Sequence, residues 1–389
     1  MKRSLAILLA ASLAISILVG IHVYIARRLA IDSGLAEPWR SAALVAVALL
    51  GANLFLQPFA RRRLPPAWAR ALAWPASLWM GFAWLLLCGL AASDLLLFAL
   101  ASAALAASDA ADPSAAPGLR AAAVAGAALV AGAFAVRQAL RPPEVRRVEI
   151  ALERWPRALD GFRIAQISDL HIGPILGREF AAGVTARVNA LAPDLVAVTG
   201  DLVDGSVRRL ADEVAPLAAL RARHGVFFVT GNHDHYSGAS AWAGRARELG
   251  MRVLRNERVE IAVDGAGFDL IGVDDHRGNP AAADGREDLP RALAGRDPSR
   301  PALLLAHDPS SFKRASRAGI DLQLSGHTHG GQIWPFVYLV RLAVPYVAGL
   351  YTRNGSRLYV SCGTGFWGPA MRLRAPAEIS EITLRARRP

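Results

Sequence analysis

The sequence predicts an all-α transmembrane domain followed by an α/β domain. Unbroken apolar runs lie almost entirely before about residue 140, and short strand-like runs alternate with helical stretches after residue 148. A proline-containing connection separates the two parts. Strands that alternate with helices are typical of layered α/β folds. The predicted boundaries are residues 1–140 for the transmembrane domain, 141–147 for a linker and 148–389 for the second domain.

Four apolar runs in the first domain predict about four membrane-spanning helices. Ser4–Ala26, Ser41–Ala60 and Ala71–Ser93 are uncharged for 20 to 23 residues, and a helix needs about 20 apolar residues to cross a bilayer. Ala121–Val136 is shorter, but the arginines at its ends could extend their side chains to the headgroups. We expect the first run to be a retained helix rather than a signal peptide, because it is long and more spans follow it.

The basic residues between these runs predict an orientation. With four spans, ten Lys and Arg residues lie on one side of the membrane and four on the other. The positive-inside rule then places both termini in the cytoplasm. If Ala121–Val136 does not span, the second domain lies on the opposite face. We therefore expect a multi-pass protein of the cell (inner) membrane with a cytoplasmic second domain.

Charge and cysteine content indicate which partners and which covalent links to expect. The formal net charge is +12, and an anionic bilayer surface accounts for part of it. No nucleic-acid motif accompanies this charge, so we expect no nucleic-acid partner. Cys88 and Cys362 lie in different domains, so we expect no disulfide. The sequence does not indicate an oligomeric state.

Polar side chains follow five predicted strands of the second domain. The strands are RIAQIS (163–168), DLVAVT (194–199), VFFVT (226–230), ALLLA (302–306) and LQLS (322–325). The segments that follow them are Asp169-Leu170-His171, Gly200-Asp201-Leu202-Val203-Asp204, Gly231-Asn232-His233-Asp234, His307 and Gly326-His327-Thr328-His329. Binding sites form at the carboxyl edge of open α/β sheets, so we expect these side chains to converge.

The residue types at these strand ends indicate a metal site. Carboxylates, imidazoles and one amide oxygen form a mixed oxygen and nitrogen set that suits Mn, Fe or Zn better than Ca or Mg alone. Seven candidate ligands exceed the four that a tetrahedral ion takes, and one bridging carboxylate would let them hold two ions. Each segment alone is more often a turn or a helix cap, whereas all five in this order indicate one site.

The order of these segments resembles the calcineurin-like metallophosphoesterase superfamily over about residues 148–385, and SGHTHGGQ (325–332) and GTGFWGP (363–369) resemble its bacterial membrane-associated branch. The resemblance implies two packed mixed β-sheets flanked by helices, and two divalent metal ions. It implies that the ligands of the first ion are Asp169, His171 and His329. Those of the second are then Asn232, His307 and His327, with Asp201 bridging both. His233 is then a catalytic residue beside the leaving group, and Asp204 orients it.

Two positions depart from the family pattern. Protein Ser/Thr phosphatases have Arg-Gly after the Gly-Asp-x-x-Asp motif, whereas this chain has Gly205-Ser206, so it does not resemble a protein phosphatase. Asp308 follows His307 where a neutral residue is expected. We expect Asp308 to cap a turn; the alternative is that its charge tunes the second metal ion.

The implied activity is hydrolysis of a phosphodiester or pyrophosphate bond by attack of a metal-bridged hydroxide. Because a membrane domain precedes the site, a lipid-linked phosphoester is one expected substrate. A soluble phosphoester, cleaved by a tethered enzyme, is the alternative. A third hypothesis is a non-catalytic, metal-binding regulatory membrane protein. The complete ligand set and the low charge of the predicted spans argue against the third.

Two segments of the second domain are expected to determine the substrate. Asp274–Arg300 is predicted to be a long surface loop, and Trp334–Thr352 begins a segment, residues 334–374, that is rich in aromatic and basic side chains. The residues of the second segment are Trp334, Phe336, Tyr338, Tyr346, Tyr351, Phe366, Trp367, Arg341, Arg353, Arg357, Arg372 and Arg374. Such residues are typical of surfaces that meet a membrane. We therefore expect a membrane-facing rim beside the site; the alternative is an edge of the core with solvated arginines.

Overall fold

The computed structural model describes residues 2–106, 117–263, 265–276 and 285–387, and the chain divides into two units. The first unit comprises Met1–Arg137 together with Gly368–Met371. The second comprises Gln138–Trp367 and Arg372–Pro389.

Four helices of the first unit are long and apolar enough to cross a membrane. They are α1 (Lys2–Ala26), α2 (Trp39–Arg63), α3 (Pro66–Ala106) and α4 (Pro117–Ala139), and a short π-helix (Arg27–Ile31) continues α1. The shortest apolar run of the sequence lies within α4, whose 23 residues exceed the ~20 that a span requires. The structure therefore supports the prediction of four candidate spans.

One carboxylate of this unit is paired with two arginines. Asp94 of α3 lies 2.8 Å from Nη2 of Arg28 and 2.9 Å from Nη1 of Arg120, and the Tyr24 hydroxyl donates a hydrogen bond of 2.7 Å to the same carboxylate. These contacts join the end of α1, the middle of α3 and the start of α4. Pairing of this kind lowers the cost of placing a carboxylate in an apolar helix.

The second unit contains two six-stranded mixed sheets. The strands of the first sheet, in spatial order, are β1 (Glu144–Leu152), β12 (Glu378–Ala386), β2 (Phe162–Ile167), β3 (Leu195–Thr199), β4 (Val226–Val229) and β5 (Arg252–Val253). β2 to β5 are parallel, and β12 is antiparallel to β2. The second sheet has the order β10 (Gly349–Arg353), β11 (Ser356–Val360), β9 (Leu322–Ser325), β8 (Ala302–Leu305), β7 (Ala266–Gly272) and β6 (Glu257–Val263).

The two sheets pack face to face around an apolar core. Ile164 of β2 and Phe227 of β4 contribute to it from the first sheet, and Leu303 of β8 and Leu324 of β9 contribute from the second. The outer face of the first sheet is covered by α5 (Arg178–Ala190), α6 (Val207–Val214) and α8 (Ala239–Glu248), which follows the short helix α7 (Asn232–Ser237). The outer face of the second packs against α9 (Leu289–Leu293) and α10 (Phe312–Ala315). The predicted fold of two packed mixed sheets flanked by helices is confirmed.

Several element boundaries differ from the sequence predictions. β1 begins at Glu144, inside the segment 141–147 that was expected to be a linker. After β3, the helix α6 ends at Val214 and a 3-10 helix continues to Ala219, because Pro216 does not fit the interior of an α-helix. The expected surface loop Asp274–Arg300 contains α9 and begins with two buried carboxylates, although its residues 277–284 lie outside the described part. Residues 334–352 contain one more helix, α11 (Val337–Ala343).

Candidate metal centre

Parallel strands of both sheets deliver the predicted ligands to one place. β2, β3 and β4 are neighbours in the first sheet, and β8 and β9 are neighbours in the second. The candidate ligands are the residues that follow these five strands, at their carboxyl ends. Two sheets packed face to face therefore bring Asp169, Asp201 and Asn232 from one side towards His307 and His329 from the other.

Asp169, His171 and His329 form the first group of candidate ligands. Each offers a ligand atom within 4.8 Å of those of the other two. Nε2 of His171 lies 3.1 Å from Nε2 of His329, which lies 3.4 Å from Oδ1 of Asp169. All three side chains are buried. Two imidazole nitrogens and a carboxylate that converge in this way are suited to bind a cation.

Asp201, His307 and His327 form a second group with the same spacing. Oδ2 of Asp201 lies 3.1 Å from Nε2 of His307 and 3.7 Å from Nε2 of His171. Asp201 therefore contacts histidines of both groups. Asn232 is buried beside this site, and its Oδ1 has no hydrogen-bond partner among the described residues. A buried amide oxygen without a donor is costly unless something else, such as a cation, occupies the position that it faces.

The backbone at these positions is strained. Five of the seven candidate ligands adopt left-handed conformations, with φ of 55° at Asp169, 46° at His171, 52° at Asp201, 73° at His327 and 50° at His329. Residues other than glycine rarely adopt this conformation, and such strain is concentrated at functional sites. The structure holds these five side chains in orientations that ordinary strand ends do not provide.

Glycines beside the candidate ligands allow strand ends to approach closely, both within the first sheet and between the two sheets. A Cβ atom at Gly231 would lie 2.2 Å from Oδ1 of Asp201, and one at Gly326 would lie 2.2 Å from Oδ2 of Asp169. Side chains at either position would displace the carboxylates. The unpartnered oxygen of Asn232, the mixed donor set and this close packing together fit divalent metal ions.

His233 lies at the edge of the site, against Asp204. Nδ1 of His233 is 2.7 Å from Oδ1 of Asp204, and Nδ1 of His171 is 3.2 Å from the same oxygen. Burial raises the pKa of Asp204, but His171 and His233 lower it well below its usual range. An ionised Asp204 can therefore fix the orientation of both imidazoles. The exposed rings of Tyr236 and Trp367 lie 5.4 and 5.5 Å from the ring of His233, measured between centroids.

Comparison with known proteins identifies the family. A family model described as calcineurin-like phosphoesterase matches residues 162–331, which contain all seven candidate ligands. A protein of Aquifex aeolicus named an uncharacterized metallophosphoesterase is 34% identical over 246 residues, which cover 92% of its length and 62% of this chain. The chain belongs to the calcineurin-like metallophosphoesterase family.

Two further relatives share the metallophosphoesterase name. The bovine transmembrane protein with metallophosphoesterase domain is 41% identical over 259 residues, which cover 64% of this chain and 58% of that protein. An uncharacterized metallophosphoesterase of Helicobacter pylori strain J99 is 37% identical over 249 residues, covering 64% of this chain and 65% of that protein. The chain thus spans less than two thirds of the length of either relative.

The metallophosphoesterase site includes one strand end that the sequence prediction missed. Asp274, Asp275 and His276 follow β7, which is parallel to β8 and ends at the same edge. The pKa of His307 is lowered by burial but raised well above its usual value by Asp201, and further by Asp169 and Asp275. The Asp275 carboxylate therefore lies near the site. The rule that located the other ligands, polar residues directly after a strand, would have found this segment.

Asp308 caps a turn, as expected, and its second oxygen lies near a candidate ligand. Its side chain accepts a hydrogen bond of 2.7 Å from the Ser310 backbone amide, so it caps the 3-10 helix Pro309–Ser311, as expected. Its other oxygen lies 3.6 Å from Nε2 of His327 and 3.6 Å from Nδ1 of His276. A carboxylate that contacts a candidate ligand in this way also affects the charge of the site.

Two residues expected at the membrane-facing rim are in fact buried. Arg372 is 1% exposed, and its guanidinium donates hydrogen bonds to the backbone carbonyls of Cys362, Gly365 and Ala375, with His329 Nδ1 at 3.4 Å. Burial lowers its pKa to about 10. Phe366 is also buried. Arg372 therefore supports the loop behind His329 and cannot reach a lipid headgroup.

Proposed function

We propose that the protein is a membrane-anchored phosphoesterase that uses two divalent metal ions (Mn, Fe or Zn) to hydrolyse a phosphodiester or pyrophosphate bond. One observation carries the proposal: the Asp201 carboxylate lies within ligand spacing of His307 and His327 and also of His171 and His233, so it contacts histidines on both sides of the site, as a bridging carboxylate must. The family membership supports a metal-dependent phosphoester hydrolase, and Asn232 supplies the amide oxygen that the second ion would need.

The residues of the site have distinct roles in this proposal. Two bound cations would neutralise phosphoryl charge and lower the pKa of water. Asp169, His171 and His329 would hold the first cation, and Asn232, His307 and His327 the second, with Asp201 shared. His233 does not bind metal in this scheme. Its imidazole, fixed through Nδ1 by Asp204, directs Nε2 towards the substrate, where it stabilises charge or donates a proton to the leaving oxygen.

The proposed activity can be tested with the purified full-length protein. Bis-p-nitrophenyl phosphate, p-nitrophenyl phosphate and a UDP-linked lipid are assayed with Mn²⁺ supplied, and again after chelation. We expect hydrolysis of a diester or a pyrophosphate that chelator abolishes and metal restores. Metal-independent hydrolysis would contradict the proposed metal-dependent mechanism, and metal binding without turnover of any ester or pyrophosphate would favour the non-catalytic alternative.

A lipid-linked substrate is the class that the exposed surface of the second unit favours. Seven of the nine large apolar side chains exposed in the described part of this unit lie between Trp334 and Trp367. Every residue of α11 is at least partly exposed, and Leu342 is 84% exposed. The Arg374 guanidinium lies 5.6 Å above the centre of the Trp334 ring. Exposed aromatic and aliphatic groups beside arginines match the composition of membrane interfaces.

Hydrogen bonds connect this surface to the catalytic side of the site. The side-chain amide of Gln332 donates a hydrogen bond of 2.9 Å to the backbone carbonyl of Trp367. Its side-chain oxygen accepts a hydrogen bond of 3.0 Å from the backbone amide of Trp367. Trp367 in turn packs beside His233. Trp334 lies two residues after Gln332 in the chain. A lipid chain lying over Trp334 would therefore place its headgroup close to His233.

Replacing Trp334 and Phe336 together by alanine should impair hydrolysis of a long-chain lipid substrate in vesicles far more than hydrolysis of a small soluble diester. Both side chains are about 40% exposed, so their loss removes apolar contact with lipid and little core. We expect the ratio of the two kcat/KM values to fall by at least about tenfold, which corresponds to ~1.4 kcal/mol. An equal loss on both substrates would assign these residues to the fold and favour a soluble substrate.

We further propose that the metallophosphoesterase unit faces the cytoplasm. Four candidate spans and the distribution of Lys and Arg support this orientation. A phosphatase reporter active only outside the cytoplasm, fused after Pro389, should be inactive, whereas a cytoplasmic fluorescent reporter should be bright. The opposite pattern would contradict the orientation and would indicate an odd number of spans.

A further inference from the structure

The two sheets contribute matching sets of residues to the site. In the first sheet, β2, β3 and β4 are successive neighbours, followed respectively by His171, by Asp204 and by His233. Asp204 presents one oxygen to both histidines, at 3.2 and 2.7 Å. His171 is a candidate ligand, and His233 is partly exposed beside the place where a substrate would bind.

The second sheet repeats this arrangement. β9, β8 and β7 are successive neighbours, followed respectively by His327, by Asp308 and by His276. Asp308 also presents one oxygen to two histidines, at 3.6 Å each. His327 is a candidate ligand, and the side chain of His276 is 38% exposed, compared with 18% for His233. In both sheets the middle strand supplies the carboxylate and an outer strand supplies the exposed histidine.

We infer that His276 is a second substrate-contacting histidine, which Asp308 positions at the second metal group as Asp204 positions His233 at the first. The inference rests on the proposed function, because it assumes that a phosphoester binds between the two groups. His276 would contact a phosphoryl oxygen on the side of His327. Asp308 is itself 3% exposed and is anchored by the Ser310 amide, so the histidine that it holds has a defined place.

The first test measures binding of inorganic phosphate to the full-length protein loaded with Mn²⁺, by calorimetry, together with metal content. His276→Ala should keep the metal content of the wild type and bind phosphate at least about tenfold more weakly, as expected for the loss of one hydrogen bond to a charged group. The KM for a soluble phosphodiester should rise by a similar factor, with a smaller change in kcat. His276→Gln, which retains a donor, should recover part of the affinity.

A matched control separates substrate contact from a general effect on the fold. His224 is also partly exposed, but it lies before β4, at the opposite end of the strand, and stacks on Phe162. His224→Ala should leave phosphate binding unchanged. Asp308→Asn keeps an oxygen that can cap Ser310 but loses the charge, and it should weaken phosphate binding as His276→Ala does.

The outcomes distinguish the inference from the proposed function. Unchanged phosphate affinity and KM in His276→Ala would overturn the inference while the proposed activity stands. Loss of metal from His276→Ala would also overturn it, since His276 would then support the metal site rather than the substrate. If the wild type binds phosphate but hydrolyses no ester, the proposed activity fails, whereas weaker phosphate binding by His276→Ala still supports the contact.

Discussion

Replacing Asp201 by asparagine should nearly abolish phosphoester hydrolysis and release more metal than the loss of any other single ligand. Asp201 is 2% exposed and lies within 4 Å of histidines from both candidate groups. Asparagine keeps one oxygen but removes the negative charge that two cations would share. We expect kcat/KM to fall by more than the roughly 100-fold that losing an outer partner of a ligand costs.

The measurement compares metal content and kcat/KM across a small series of variants. Asp169→Asn and His329→Ala each remove a candidate ligand of one group only, so each should release less metal than Asp201→Asn. Asp194→Asn is the matched control, because Asp194 precedes the same strand β3 and accepts a hydrogen bond from the Arg163 amide far from the site. Equal metal content and equal rate in Asp201→Asn and wild type would contradict the bridging role.

The sequence predicted the site more completely than it predicted the surface around it. Ligands at strand ends are visible because an apolar run stops abruptly and a polar residue of defined type follows, as at Ile167 to Asp169. The parallel direction of the strands then dictates that these residues share one edge. The order of the strands along the sequence therefore predicts that the candidate ligands converge.

The folded structure determines the burial of individual side chains, which the sequence pattern alone does not predict. His276 lies in the segment Asp274–Arg300, whose composition predicts a surface loop, although Asp274 and Asp275 are buried. The sequence predicts Arg372 in a basic rim, because an arginine is usually solvated. In the structure, backbone carbonyls of its own loop accept hydrogen bonds from its guanidinium. Composition indicates average burial, whereas the hydrogen-bond partners that the fold places around a single side chain determine its burial.

The boundary of the predicted linker also differs from the structure. β1 is an edge strand that begins at Glu144, immediately after the proline pair, and its charged residues face outward. A charged segment after two prolines has the composition of a linker, so the sequence predicts a linker here. β1 pairs in parallel with β12, more than 230 residues away, which no local pattern can indicate. Edge strands with exposed charges are common because such charges discourage pairing with other chains.

Replacing His233 by alanine should leave the metal content nearly intact and reduce turnover by about 10²–10⁴-fold, the usual contribution of an acid–base group. Nδ1 of His233 contacts Asp204, and its neighbour Asn232 supplies the candidate ligand oxygen. The loss should be greater for phenyl esters than for p-nitrophenyl esters if His233 donates a proton, and equal for both if it stabilises charge. His233 also lies within ligand distance of His171 and Asp201. Metal analysis that finds the variant emptied would therefore make His233 a ligand and overturn the catalytic role.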